Sequence, residues 1–162
     1  MAEPMFTEII QVALVVRDLD AALRTYVEEY GLGPWSIYEF NPQNVQDMVK
    51  DDEPAEYAMR IAVTTVGGVQ LELVQPLDER SIYAEFLATK GEGLHHLGVG
   101  VRDYGEALGI LRAKGHSVVQ GGLYNGVTFA YLSTDRDLGV ITEIFDGAPG
   151  QDQEPDSIYP PA

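Results

Sequence analysis

The chain has 162 residues, 10 Lys and Arg against 26 Asp and Glu, a formal net charge of −16, a hydrophobic fraction of 45% and no cysteine. That length suits one domain, or two small modules sharing a core, and the absence of cysteine excludes disulfides, thiolate ligands and a cysteine nucleophile. The acidity argues against nucleic acid, whose phosphates need a cationic surface, and no run is long or apolar enough to span a bilayer.

Residues 1–7 read as a frayed start, and the N-terminus lacks the basic-then-apolar layout of a signal peptide. Residues 8–16 alternate as a strand, with Val12, Leu14 and Val16 on one face and Gln11, Ala13 and Val15 on the other. Asp18 is the expected N-cap of a helix whose apolar face carries Leu23, Tyr26, Val27 and Tyr30 and which Gly31 ends. A strand over Trp35–Phe40 follows. Residues 41–55, with Asn, Pro and the run Lys50-Asp51-Asp52-Glu53, read as an exposed loop or mobile lid. Strands at about 56–66 and 69–75, joined at Gly67-Gly68, complete a first module over residues 8–76.

A connector over 77–94 holds a short helix capped by Ser81 and released at Gly91-Glu92-Gly93. The second module, 95–146, opens on a strand. Its helix begins at Asp103 with Glu106 three residues on and stops at Gly115, and strands near 117–120, 127–133 and 139–145 follow. Residues 147–162 read as a flexible, acidic, Pro-rich tail.

The second module repeats the first. The segment from Gln11 to Leu23 is echoed from His96 to Leu108, sharing a strand, Val-Arg-Asp and Ala-Leu at matched helical positions, at an offset of 85 residues (96 − 11). Gly68–Val74 is echoed by Gly139–Phe145, at an offset of 71 (143 − 72). Each half therefore reads β-α-β-β-β. The expected fold is α+β, two tandem modules forming a curved sheet around a cleft, with helices on the opposite face.

The duplication places Gln11, Glu72, His96 and Glu143 at two pairs of equivalent positions. Glu72 and Glu143 sit mid-strand between apolar neighbours, where a carboxylate must be paired, protonated or bound to a metal. One imidazole nitrogen and three oxygens suit Zn²⁺, Co²⁺, Ni²⁺, Mn²⁺ or Fe²⁺.

These residues resemble the vicinal oxygen chelate superfamily, built from paired βαβββ modules, over about residues 8–146. Leu94-His95-His96-Leu97-Gly98-Val99 looks like the strand that opens the second module in methylmalonyl-CoA epimerases, and Leu71–Leu77 with its connector is similar to that family too. The resemblance implies metal-ligand positions at Glu72, His96 and Glu143. The remaining epimerase ligand is usually a histidine, where this chain has Gln11. Gln–Glu–His–Glu is instead the ligand set of zinc-type glyoxalase I. Both resemblances imply proton transfer at a carbon next to a carbonyl, with a metal-stabilised enolate. Glu143 is then the first candidate base, by the glyoxalase resemblance, and Glu72 the second.

The leading expectation is an isomerase, epimerase or related lyase acting on a small acid or thioester. Arg17, Arg24, Arg60, Arg80 and Lys90 would have to form a patch if the substrate carried CoA. A second expectation is a metal-free binding protein of the drug-resistance type, holding an apolar ligand between Trp35, Tyr38, Phe40, Phe129 and Tyr131. A non-haem iron dioxygenase would need two histidines and a carboxylate on one face, and only His96 fits. His95 alternates out of phase with His96 and should face away from the cleft. His116 is placed at a helix end, where a cation suits the dipole, and Asp135-Arg136-Asp137 reads as a solvated turn. A small-molecule substrate, a homodimer and a cytoplasmic location complete the expectations, with modules joined within a chain or exchanged across a dimer.

Overall fold

Asp18 and Asp103 stand in extended backbone and each accepts a hydrogen bond from the N–H three residues on, Ala21 at 2.9 Å and Glu106 at 2.7 Å. Equivalent carboxylates thus start equivalent helices. The computed structural model describes residues 3–150 and 153–161. The expectations at 1–2, 151–152 and 162 lie outside the described residues.

The first half comprises β1 (Phe6–Val15), α1 (Leu19–Tyr30), β2 (Trp35–Phe40), β3 (Gln46–Lys50), β4 (Glu53–Pro54), β5 (Met59–Val66) and β6 (Val69–Pro76). The connector helix α2 spans Ile82–Lys90. The second half comprises β7 (Gly93–Val101), α3 (Tyr104–Ala113), β8 (Val118–Tyr124), β9 (Val127–Leu132), the short α4 (Asp135–Leu138) and β10 (Ile141–Asp146), and β11 (Ser157–Tyr159) follows. No helix among the described residues is long and apolar enough to cross a membrane.

All strands join one curved, unclosed 11-stranded sheet in the order β11-β2-β5-β6-β1-β7-β10-β9-β8-β3-β4. At its centre β1 runs antiparallel to β7, and β6 and β10 flank them in parallel. Ala13 pairs with Glu72, and their counterparts under the duplication, Gly98 and Glu143, pair with each other. The sequence repeat is therefore a structural two-fold, and the modules join within one chain.

One face of the sheet is covered by α1 and α3. Leu19 and Leu23 pack on Leu14, Leu71 and Leu73, and Ala107 and Leu111 pack on Leu97, Val99 and Val101. Leu19 and Leu23 are fully buried, and each such side chain contributes ~1.5–3 kcal/mol through lost apolar contact with water. The concave face is plugged at one end by α2, whose Ile82 and Tyr83 meet Val15, Val74 and Tyr131.

The 41–55 segment differs from the exposed loop expected. β3 pairs antiparallel with β8, across on the second half's edge, and turns through Asp51 and Asp52 (φ 53° and 61°) into β4. Val45 and Met48 are buried in the concave core. Gly122 admits this strand: a Cβ there would stand 2.7 Å from Val45 Cγ1 and 2.9 Å from Phe129 Cζ.

The tail also departs from expectation. Ser157–Tyr159 forms a strand along β2, Asp156 N–H donates to Ile37 O at 2.9 Å, and Asp156 Oδ2 accepts from Glu39 N–H at 2.7 Å. Its upstream part, at Pro149, Gly150 and Gln153, lines the cleft. The unpaired backbone of β2's outer edge is what this strand satisfies.

Candidate active site

The central strands bring the four duplicated positions together on the concave face. His96 Nε2 lies 3.2 Å from Gln11 Oε1, 3.3 Å from Glu143 Oε2 and 3.6 Å from Glu72 Oε1. None of the four is more than 5% exposed. Gln11 is held by its amide, which donates to Gln70 Oε1 at 2.6 Å and to Glu72 Oε2 at 3.0 Å, turning Oε1 towards His96. Gln70 was not singled out by sequence. Its position two residues before Glu72, on the same strand face, was the available signal.

His95 corrects the alternation argument. The β1–β7 register passes from Ala13 opposite His96 to Leu14 opposite Leu94, leaving His95 unmatched as a β-bulge. The bulge turns both imidazoles to one side, with His95 Nδ1 2.9 Å from His96 Nδ1. The His95 ring is flanked by Tyr83 and Phe86, at centroid distances of 5.1 and 5.0 Å. Of the two facing Nδ1 atoms one donates and the other accepts.

The pocket gathers two carboxyls, one amide oxygen and one imidazole nitrogen around one point. Burial pushes the Glu143 carboxyl up to about 8, against a hydrogen bond from Tyr131 that lowers it. Burial, with the charge of Glu143 adding to it, raises Glu72 well above the usual carboxylate range. Burial pushes His96 down to about 3, and burial with the neighbouring His96 pushes His95 down to about 2. The close approach of His96 to the two acids is therefore not an ion pair, because both imidazoles are uncharged at neutral pH. Protons on the carboxyls relieve the crowding here, and a cation can do the same. Behind Glu143, Tyr83 donates to Tyr131 at 2.5 Å, a relay of buried hydroxyls. Gln120 Nε2, beneath it, has no partner among the described residues.

Gly98 makes room for this arrangement. A Cβ there would stand 2.9 Å from Gln11 Cβ and 3.3 Å from the Phe145 ring. Gly98→Ala is expected to destabilise the fold by about 1–3 kcal/mol through overpacking and to dislodge the Gln11 amide. Chemical denaturation gives the first, and the Gln11 side-chain NH₂ resonances report the second.

Above the four lies a cleft of about 310 Å³, lined by Tyr38, Phe40, Ile61, Phe129, Tyr131 and Phe145 among others. Trp35 is not among its walls. It packs on the opposite face beside Tyr26, with its indole N–H donating to Leu32 O at 2.7 Å, since Ser36, Tyr38 and Phe40 take the concave parity. None of Arg17, Arg24, Arg60, Arg80 and Lys90 lines the cleft. Arg60 pairs with Asp20 on the helical face, Arg80 with Asp78, and Lys90 sits over Phe86. His116 is held between Ser133 O and Asp137, and Asp135–Leu138 forms a short exposed helix.

A family model described as the Glyoxalase/Bleomycin resistance protein/Dioxygenase superfamily matches residues 10–131. The chain belongs to that superfamily. Among solved structures, this superfamily member is similar to methylmalonyl-CoA epimerase from Mycobacterium tuberculosis, at 26% identity and a TM-score of 0.65, covering 92% of this chain and 93% of that one. It is also similar to Streptomyces coelicolor methylmalonyl-CoA epimerase (E43Q) in complex with 2-nitronate-propionyl-CoA, at 27% identity and a TM-score of 0.56, covering 88% and 99%. The uncharacterized protein YqjC of Bacillus subtilis is 32% identical over 94 residues, which are 55% of this chain and 66% of that relative's length.

No group of three or more His, Asp and Glu side chains among the described residues is arranged as a ready-made metal cage. What converges is a mixed set of two carboxylates, one imidazole and one amide. Donors on one divalent ion, bonded at ~2.0–2.2 Å, stand roughly 3.0–3.5 Å apart, close to the separations found around His96 Nε2.

Proposed function

We propose that this chain is a divalent-metal-dependent isomerase or epimerase, moving a proton at a carbon next to a carbonyl. The observation that carries it is the convergence, in one buried pocket, of two carboxyls and an amide oxygen within 3.6 Å of the nitrogen of an uncharged imidazole. Gln11 Oε1, Glu72, His96 Nε2 and Glu143 would hold the ion. When bound, a divalent cation supplies positive charge beside the substrate's carbonyl oxygen as negative charge develops there.

Glu143 is the residue we assign as base. Burial raises its carboxyl to about 8, so it can take a proton from carbon and return it. Glu72, held by the Gln11 amide, is the second candidate. The aromatic and aliphatic walls exclude water from this exchange. The epimerases named above act, by their names, on methylmalonyl-CoA, and the reading carried here is the coarser one of a small carbonyl compound, since no Lys or Arg lines this cleft to answer the free carboxylate or the CoA phosphates of an acid or thioester. A homodimer covering the short edge strands β4 and β11, in the cytoplasm, completes the proposal.

Elemental analysis of wild type, His96→Ala and Glu143→Gln tests the site. Wild type is expected to carry about one divalent ion per chain and the variants far less. Equal metal in all three overturns the assignment. The aromatic cleft also suits a metal-free binder of the drug-resistance type, and wild type that takes up no ion would favour that reading.

A further inference from the structure

The cleft carries acid at its floor and lacks base in its walls. Among the described residues no Lys or Arg lines it, and 151–152 are Gln and Asp. The ten cations of the chain are elsewhere. Arg60 is the instructive case, because it sits between Met59 and Ile61, both of which line the cleft, yet points to the helical face and pairs with Asp20 at 3.2 Å. Lys50 is likewise tied to Glu85 at 2.5 Å, outside the cleft.

Tyr124, a cleft wall, has its hydroxyl raised by burial first and then by the charge of Asp156, which is fixed by its bond to Glu39 N–H. The tail narrows the rim, with Pro149, Gly150 and Gln153 as walls and Tyr38 OH donating to Gln153 O at 3.4 Å. Inside, Phe40, Tyr124 and Phe129 form an aromatic shelf, with ring centroids 4.3 and 6.5 Å apart.

We infer that the substrate is a compact, uncharged carbonyl compound with an aromatic or branched apolar substituent, and that free acids and CoA thioesters are rejected. The inference rests on the proposed function for the identity of the reacting group. Two buried carboxylates already balance a divalent cation. A substrate carboxylate would add a third negative charge to a buried site with no cation to answer it, and desolvating an unpaired charge is costly. CoA would bring phosphates to a cleft whose lining offers them no Lys or Arg. A neutral ketone, ester or amide meets neither penalty, and its apolar part fits the aromatic shelf.

Ligand-observed saturation-transfer NMR on the full chain, with and without added Zn²⁺, tests this. Phenylacetone and phenylacetate are close in shape and differ in charge, and coenzyme A probes the rim. Phenylacetone is expected to bind at least ~10-fold more tightly than phenylacetate, with coenzyme A unbound. Val63→Arg, which adds a cation to the cleft wall, is expected to narrow or reverse that preference. Phenylacetate or coenzyme A binding wild type as well as the ketone, or no binding of the ketone, overturns the inference. Metal content is measured on the same samples. Protein without metal that still prefers the ketone would count against the proposed function alone, and metal-loaded protein that prefers the acid would count against this inference alone.

Discussion

Glu143→Gln is expected to stabilise the metal-free protein above pH 7 while weakening its hold on a divalent ion on the order of 100-fold or more. The two effects have one cause. The carboxyl sits in a buried pocket with another carboxyl, and its raised pKa of about 8 shows that the folded state disfavours its charge. The amide keeps the shape, removes that charge and adds N–H donors to a group of acceptors. It also removes the charge that a cation would meet. Thermal melts in chelator at pH 8 should show a gain of roughly 4–8 °C, corresponding to about 2 kcal/mol. Competition with a chromophoric chelator gives the affinity. A variant less stable than wild type at pH 8, or one that binds metal normally, contradicts the electrostatic picture.

The second large effect is a pH dependence that metal abolishes. Raised carboxyls favour the folded state at low pH, and that contribution is lost as pH rises towards their folded pKa values. His95 and His96, depressed to about 2 and 3, act oppositely: the unfolded chain binds their protons below about 6.5 and the folded chain does not. Between about pH 4.5 and 6.5 the two pairs largely cancel. Above 6.5 the histidines are neutral in both states and only the acids count. Metal-free protein should therefore lose about 2 kcal/mol through Glu143 between pH 6.5 and 8, and more with Glu72. A saturating divalent ion takes the place of those protons, so with metal neither state binds protons at these groups above pH 6.5 and the melting temperature should stay nearly flat over the same window. Differential scanning calorimetry in chelator and in Zn²⁺ measures both slopes, and parallel slopes would refute the coupling.

The four-residue cluster was legible because it is duplicated. Gln11 alone, or Glu72 alone, is an ordinary strand residue, but matched positions in two halves made four residues one candidate, and the central β1–β7 pairing brings them within 3.6 Å of a common nitrogen. Helix starts at Asp18, Ser81 and Asp103 were legible because a cap is a local bond. Long-range pairing was not. Val45, just before β3, and Met48 and Val49 within it meet the core amid polar residues, and a register shift between Gln46 and Val49 breaks its alternation. β11 has three residues and an exposed Ile158, so its partner strand rather than its own pattern makes it a strand. His95 was misplaced because one extra residue in a strand reverses the parity of everything before it. Trp35 was misplaced by counting it as an aromatic when its parity put it among the helices.

The two-fold at the sheet centre divides the site evenly. Severing the backbone in the connector after Lys90 would yield two fragments, one carrying Gln11 and Glu72, the other His96 and Glu143. Neither piece holds an imidazole and the amide together, and β3 leaves the first piece to complete the sheet of the second. Reassembly of the split protein would therefore recreate the whole four-residue cluster at a single seam, and under the metal binding proposed above a divalent ion would fasten the two pieces.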